Sequence, residues 1–115
     1  MRKFLKKNHY STVIQIGNLL RTDDPIEISS IEIKDVIGNV SWDFKSNKVG
    51  IIHEDESSRR GINVKHTVQF YQILTKGKKL DLVKIEEIKN ILSNRVVIAP
   101  GGVFFAVYNI SESSP

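Results

Sequence analysis

The chain lacks cysteine and has only three histidines among its 115 residues. The missing cysteine excludes disulfide bonds, thiolate metal sites and cysteine nucleophiles, and it fits a reducing compartment. Histidine is the commonest general base in enzymes, and this chain has few histidines. The sequence also contains no Ser-His-Asp grouping, no nucleophile elbow and no phosphate-binding loop motif. The sequence therefore predicts a protein that is not an enzyme and that uses no cofactor.

Long apolar runs are also missing. No stretch is long and apolar enough to cross a bilayer, and no apolar core of a secretory signal follows the basic start MRKFLKKNHY. We therefore expect a protein of the cytoplasm, or of the nucleus in a eukaryote, that does not contact membranes. Its length and its 40% hydrophobic content are ordinary for one globular domain, which we expect to span residues 1–115.

Positive charge is concentrated at the start of the chain, where it accounts for the net charge of +4. Four residues supply it: Arg2, Lys3, Lys6 and Lys7. The other 13 of the 17 basic residues balance the 13 acidic ones. Residues 1–9 form a basic arm that either holds polyanions through counterion release or serves only as a solvated tail. We expect this arm and the Ser-rich tail, 111–115, to lie outside the packed core.

Most of the chain has the alternating pattern of β-strands. Alternation begins at Ile26, and Gly38-Asn39 is a turn signal. The segments VSWDFK and KVGIIH read as two strands joined by a two-residue turn at Ser46-Asn47. Near the C-terminus, RVVIAP and VFFAVYNI are two apolar strands joined through Pro100-Gly101-Gly102. These apolar strands must be buried, or else they form a dimer or partner surface.

One segment has helical spacing and two are ambiguous. In LDLVKIEEIKNIL the apolar residues Leu82, Ile85, Ile88 and Leu92 recur at the spacing of an amphipathic helix. Residues 11–21 suit either a helix or a strand. Residues 62–76 suit one long strand, or a strand ending near Val64 and a helix capped by Thr67. The prediction is an α+β fold: a mainly antiparallel β-sheet with one or two α-helices packed on it.

The hairpin at residues 40–52 carries the candidate site. A two-residue turn would pair Phe44 with Val49 and would place Val40, Trp42 and Ile51 on one apolar face, where we expect core packing. Phe44 would lie at the tip, beside Lys45 and Lys48. An aromatic ring flanked by lysines is typical of single-strand binders, in which the ring stacks on a base and the lysines hold phosphates. Alternatively, the ring covers the end of the core.

The run His53-Glu54-Asp55-Glu56 gathers four potential metal ligands. Adjacent strand residues point to opposite faces, so only alternate members could share an ion. We therefore expect a solvated strand end there and no metal site.

The hairpin also resembles a known family. VSWDFK, the following Lys48-Val49, the charged loop and Arg59-Arg60-Gly61-Ile62 are similar to the core of the positive cofactor four family, small single-stranded-DNA-binding transcriptional coactivators found also in bacteria and phages. The resemblance covers residues 40–76. It implies a homodimer whose curved sheet holds single strands, and a strand followed by a helix over residues 62–76. It also implies base stacking by Phe44 and phosphate contacts by four residues: Lys45, Lys48, Arg59 and Arg60.

Two functions follow from these observations. The first is a non-catalytic module that binds single-stranded DNA or RNA without sequence preference, through the hairpin tip, the basic loop and the basic arm. The alternative is a small protein-interaction module, either a viral or plasmid-encoded inhibitor or one component of an assembly. That module would use the apolar strands of VVIAPGGVFFAVYNI as its contact surface.

Overall fold

The computed structural model describes residues 11–17, 28–55, 64–77 and 79–111. These residues form eight β-strands: β1 Thr12–Gly17, β2 Ile28–Ile33, β3 Ile37–Asp43, β4 Lys48–Glu54, β5 His66–Lys76, β6 Lys79–Ile91, β7 Arg95–Ile98 and β8 Phe105–Tyr108. The strands pair as three consecutive antiparallel sheets, of which β1–β2 comes first, β3–β4–β5–β6 second and β7–β8 third.

The central sheet is apolar on both faces because a smaller sheet covers each of them. On one face, Val49 and Ile51 of β4 join a cluster with isoleucines of β1 and β2. On the other face, Ile52 of β4 joins Val96 and Ile98 of β7. Successive strand residues point to opposite faces, so the run VGII in β4 supplies side chains to both clusters. All three β4 side chains named here are fully buried.

Side-chain hydrogen bonds fix β7 on β3. The amide of Asn39 donates from Nδ2 to the Val96 carbonyl at 3.0 Å and accepts at Oδ1 from the Val96 N–H at 2.9 Å. The Ile98 N–H donates to Ser41 Oγ at 2.9 Å. Gly38 allows the close approach of the two sheets, since a Cβ there would lie 2.2 Å from the Asn94 carbonyl oxygen. The Asn39 amide thus pairs with β7 as a peptide group of a neighbouring strand would.

The α+β prediction is wrong, because the residues that the structure describes contain no helix. The predicted helix of residues 82–92 falls within β6, apart from its last residue. Two register shifts in β6 explain why its apolar residues recur at the spacing of a helix. Ile85 is an extra residue between the Phe70–Glu86 and Tyr71–Lys84 pairs, and a second shift separates the Val68–Ile88 and His66–Ile91 pairs. Each bulge adds one residue, so isoleucines three apart, at 85, 88 and 91, can face the same side of the sheet.

Two other ambiguities are resolved in favour of strands. Residues 12–17 of the ambiguous segment 11–21 form β1, and residues 18–21 lie outside the described part. Residues 66–76 form the single strand β5, so a helix capped by Thr67 does not exist; the Thr67 hydroxyl is buried and donates to Asp55 Oδ1 at 2.6 Å. Gly38-Asn39 is not a turn but a register shift within β3. Across the described ranges, no helix long and apolar enough to cross a membrane occurs.

The β3–β4 hairpin has a longer turn than predicted. Asp43 pairs with Lys48 and Trp42 with Val49, so the turn comprises residues 44–47. The Asp43 carboxylate accepts hydrogen bonds from the Ser46 N–H at 3.0 Å and from the Ser46 hydroxyl, and Asn47 takes a left-handed φ of 55°. Short polar residues such as Asp and Asn favour this turn geometry. The observed pairing is shifted by two residues along the strands from the predicted one, in which Phe44 paired with Val49. Strand side chains alternate between the two faces with a period of two, so each side chain keeps its predicted face.

Burial along the hairpin agrees only partly with the prediction. Ile51 is fully buried, and Trp42 is half-buried against the first core cluster. Val40, predicted in the core, is 40% exposed because it lies on the edge strand β3 outside that cluster.

We predict that Asn39→Ala destabilises the protein by about 2–4 kcal/mol, because it leaves the N–H and C=O of Val96 without their partners. Asn39→Asp has nearly the same shape but cannot donate to the Val96 carbonyl, so we expect a comparable loss at neutral pH. Urea unfolding measures both changes. The control is Gln15→Ala, on an exposed position of β1, which should stay within about 0.5 kcal/mol of the parent. An Asn39→Ala variant as stable as the parent would contradict this role.

Candidate nucleic-acid interface

Three turns lie at one end of the stacked sheets: residues 44–47, the β5–β6 connection around Gly77, and residues 99–104 between β7 and β8. The first of them is bonded to β5, since the Ile73 N–H donates to the Asn47 carbonyl at 2.8 Å and the Gln72 amide donates to the Ser46 carbonyl at 2.6 Å. Beyond Gln72, β5 continues for four residues to Lys76. The β5–β6 hairpin therefore projects about 13 Å past the β3–β4 pairing.

This end of the molecule carries an exposed aromatic ring and exposed lysines. Phe44 is 79% exposed, and Lys45, Lys76 and Lys79 are exposed as well. We call the following four residues the basic end: Phe44, Lys45, Lys76 and Lys79. The Phe44 ring touches Trp42, with centroids 5.7 Å apart and planes tilted by 46°. With so much of its surface in solvent, the Phe44 ring does not cover the end of the core.

The acidic residue next to Phe44 is tied into the turn. Asp43 is buried, and its carboxylate accepts from Ser46. The hydrogen bond from the Ser46 hydroxyl is the main cause that lowers the pKa of the Asp43 carboxyl; burial raises it but is outweighed, with help from the Ser46 and Gly101 N–H groups. The Asp43 charge is thus directed into the turn, and the lysines of the basic end face solvent.

Lys48, one of the predicted contact residues, is only half-exposed and has a partner within the protein. Its Nζ donates to the Gly102 carbonyl at 2.9 Å. Gly102 has φ of 73°, and a Cβ there would lie 2.1 Å from Ser46 Oγ, so only glycine fits this contact. Lys48 therefore holds the 99–104 turn against the β3–β4 turn, and phosphate contact by Lys48 would compete with this bond.

The other predicted contacts cannot be placed. Arg59 and Arg60 of the loop lie outside the described residues, as do all four basic residues of the N-terminal arm: Arg2, Lys3, Lys6 and Lys7. Their contacts with nucleic acid stay predictions.

Two residues of the basic end, Lys76 and Lys79, were not predicted from the sequence. They form a directly opposed pair at the tip of the β5–β6 hairpin. Like charges in opposed positions destabilise a sheet, so the two ammonium groups repel each other at the hairpin tip. Binding to an anion would reduce this repulsion. The signal is present in the sequence as TKGKK, in which a glycine between lysines forms the turn of a hairpin.

A second polar group, at His53, has a structural role. His53 is buried, with Nε2 3.1 Å from the Gln69 amide nitrogen and Nδ1 3.4 Å from Asp35, so the predicted solvated strand end is wrong. The Tyr71 hydroxyl donates to Gln69 Oε1, and burial raises the pKa of Tyr71, which keeps this donor protonated. Within the part of the chain that the structure describes, no group of three or more His, Asp or Glu residues could hold a metal ion.

We predict that Ser46→Ala raises the pKa of Asp43 towards the ordinary value of an aspartate, since it removes the main hydrogen bond that stabilises the carboxylate. A carboxyl whose native pKa is lowered stabilises the fold above its unfolded pKa, and this stability is lost as pH falls through the native pKa. Ser46→Ala should therefore make unfolding less sensitive to acid. Carbon-detected NMR titration of the Asp43 carboxyl measures the shift. Ser30→Ala, at an exposed position of β2, is the control, and identical Asp43 titrations in Ser46→Ala and the parent would refute the assignment.

Comparison with known proteins identifies a relative among translation factors. Over 97 residues the chain is 35% identical to the B subunit of eukaryotic translation initiation factor 3 from Lodderomyces elongisporus, a match that covers 81% of this chain and 14% of that protein. The chain thus spans about one seventh of the length of the relative it matches. No family model matches the chain, and no solved structure matches it.

These comparisons overturn the resemblance to the positive cofactor four family. No model of that family matches, and the helix that it implied after residue 64 is the strand β5. The transcriptional role rested on this resemblance and conflicts with similarity to a translation factor. The comparisons do not show the homodimer that the resemblance implied. What the comparisons give instead is similarity to part of one component of a translation initiation factor.

Proposed function

We propose that the chain is a non-catalytic module that contacts single-stranded RNA through the basic end, within an assembly that acts in translation initiation. The observation that carries this proposal is the position of Phe44, which lies exposed at the same end of the sheets as Lys45, Lys76 and Lys79. Similarity to one component of a translation initiation factor supports RNA over DNA and an assembly over an isolated protein. Work in translation would also place the chain in the cytoplasm.

The proposed mechanism combines neutralisation of phosphates with stacking. Each of the three lysines can neutralise one phosphate and release its counterion, which gives affinity without sequence preference. The Phe44 ring has one side against Trp42 and a large exposed surface on which a base can stack. Because every base has a stacking face, we expect oligonucleotides of different sequence to bind alike.

We predict that the affinity for a fluorescein-labelled 12-nucleotide oligo(U) falls with salt, with a slope of log K against log[salt] of about −2, as three phosphate contacts to a single strand imply. The double change Lys76→Ala with Lys79→Ala should reduce this slope to about −0.7, because one contact remains. Fluorescence anisotropy over a series of KCl concentrations measures both values.

Phe44→Ala should weaken binding by about 5- to 150-fold and leave the salt slope unchanged, because it removes stacking but no charge. The matched control for the lysine pair is Lys34→Ala with Lys89→Ala. Both control lysines are exposed and lie towards the other end of the sheets, where Asp35 meets His53 and Val68 pairs with Ile88. Equal losses in the two lysine pairs, or a salt slope near zero in the parent, would reject the basic end as the RNA contact.

A further inference from the structure

A line of polar side chains crosses the face of the central sheet on which Val49 and Ile51 lie. It begins at His53 of β4, continues through Gln69 and Tyr71 of β5 and ends on β6. The register places these side chains on one face, since Gln69 pairs with Ile51 and Tyr71 pairs with Val49. The line therefore connects a buried histidine with the surface of β6.

The hydrogen bonds of His53 fit a neutral imidazole with its proton on Nδ1. Nδ1 lies 3.1 Å from the Glu54 carbonyl oxygen, which can only accept, so this nitrogen donates. Nε2 lies 3.1 Å from the Gln69 amide nitrogen, which can only donate, so Nε2 accepts. The Gln69 amide is held in this orientation because its Oε1 accepts from the Tyr71 hydroxyl at 2.5 Å.

A second proton on the imidazole would reverse this arrangement. It converts Nε2 of His53 from an acceptor into a donor, and this donor then faces the donating nitrogen of Gln69. Rotation of the Gln69 amide by half a turn restores a hydrogen bond, because Oε1 then accepts from His53. The same rotation turns the amide nitrogen towards the Tyr71 oxygen, which must accept from it. The Tyr71 hydrogen then requires another acceptor.

Glu87 of β6 is placed to be that acceptor. It pairs with Gln69 in the ladder, next to the pair of Tyr71 with Lys84. The hydrogen bond from Lys84 Nζ, at 2.6 Å, lowers the pKa of Glu87, so its carboxylate stays ionised at neutral and mildly acidic pH. Burial raises the pKa of Tyr71, so its hydroxyl keeps its proton over the same range. Histidine is the side chain that ordinarily changes charge there, which singles out His53 in this line.

Three carboxylates favour the added proton on His53. Asp35, in the connection before β3, lies 3.4 Å from Nδ1. Asp55 follows two residues after His53 and accepts from the hydroxyl of Thr67, the residue that pairs with His53. The negative charge of Glu87 interacts with His53 as well. Nearby opposite charges stabilise an imidazolium.

The features that oppose the proton are weaker. Burial of His53 disfavours its charged form, and Lys84 and Lys89 add positive charge on β6, although both are paired with Glu87. The β1–β2 sheet, which packs on the same face, contributes isoleucines to it. Glu32 lies between two of these isoleucines in β2 and therefore points away from His53.

We propose that His53 is the sensor of a pH-sensitive switch whose output lies on β6. Proton uptake by the imidazole rotates the Gln69 amide, and the rotated amide turns the Tyr71 hydroxyl from Gln69 towards Glu87. The Glu87 carboxylate then accepts from Tyr71 in competition with Lys84, which changes the ion pair at the surface of the sheet. This inference goes beyond RNA contact and does not depend on it.

NMR titration of the ¹³C,¹⁵N-labelled full chain from about pH 8 to about pH 5 tests the switch. At the alkaline end, long-range ¹H–¹⁵N spectra should show the His53 proton on Nδ1. As the ring takes up its second proton, the side-chain amide signals of Gln69 should shift with the same midpoint. The carboxyl carbon of Glu87 should shift with it too, although Glu87 itself stays ionised. The amide of Gln72, which donates to the Ser46 carbonyl, should not follow.

Two variants separate the steps of the switch. Tyr71→Phe should keep the response of the Gln69 amide and remove most of the response of Glu87, because the hydroxyl that connects them is missing. Its matched control is Tyr108→Phe, on a half-exposed tyrosine of β8, which should leave both responses unchanged. Gln69→Glu presents only acceptors to His53, so the ring should protonate at a pH higher by about one unit or more. Urea unfolding midpoints show that the variants fold.

The titration of the parent can overturn the proposal by itself. A His53 proton on Nε2 at about pH 8, a ring still neutral at about pH 5, or a Gln69 amide that does not follow the ring would each do so. An undiminished Glu87 response in Tyr71→Phe would reject the output on β6 and the switch with it.

Discussion

The hydrogen bonds between the Asn39 side chain and the backbone of Val96 position everything on one side of the central sheet. They set β7 on β3, and Ser41 extends the contact by one strand repeat. Once β7 is fixed, β8 lies above β5 and the 99–104 turn reaches Lys48. A polar side chain thus does between two sheets what peptide groups do within one.

The proposed RNA-contact surface is built on the same frame. The basic end is charged and projects from the hairpin turns, so long-range attraction to phosphates can act there. Asp43 and Ser46 belong to this frame, because Ser46 holds the Asp43 carboxylate and lies against Gly102 of the 99–104 turn. The charge of Asp43 therefore stabilises the turn and is directed away from an approaching phosphate.

How far the sequence predicts the fold depends on the regularity of each strand. Strict alternation of apolar and polar residues around Trp42 and Ile51 predicted the correct sheet faces for these side chains. The apolar segments at 95–98 and 105–108 were correctly predicted to be strands. The helix prediction failed for β6 because the bulges of this strand bring isoleucines three residues apart to one face, and this is also the spacing of a helix. Gly38 was predicted to lie in a turn, but glycine is needed there because Asn94 approaches closely. This contact joins residues 56 positions apart in the chain, so local sequence does not reveal it. The same holds for the proposed site: local sequence predicted contacts by Phe44 and Lys45, whereas the placement of Lys76 and Lys79 at the same end became visible only with the hairpin.

The most direct test of RNA contact by the basic end is to map that contact on the folded chain by NMR, with a 12-nucleotide oligo(U) titrated into the ¹⁵N-labelled protein. We expect the largest shift changes on residues 43–48 and 74–79, at the end that carries the turns of the two hairpins. Residues 66–68 and 88–91, at the other end of the same strands, should change little. Changes centred on that other end, or spread evenly over the sheets, would contradict RNA contact by the basic end.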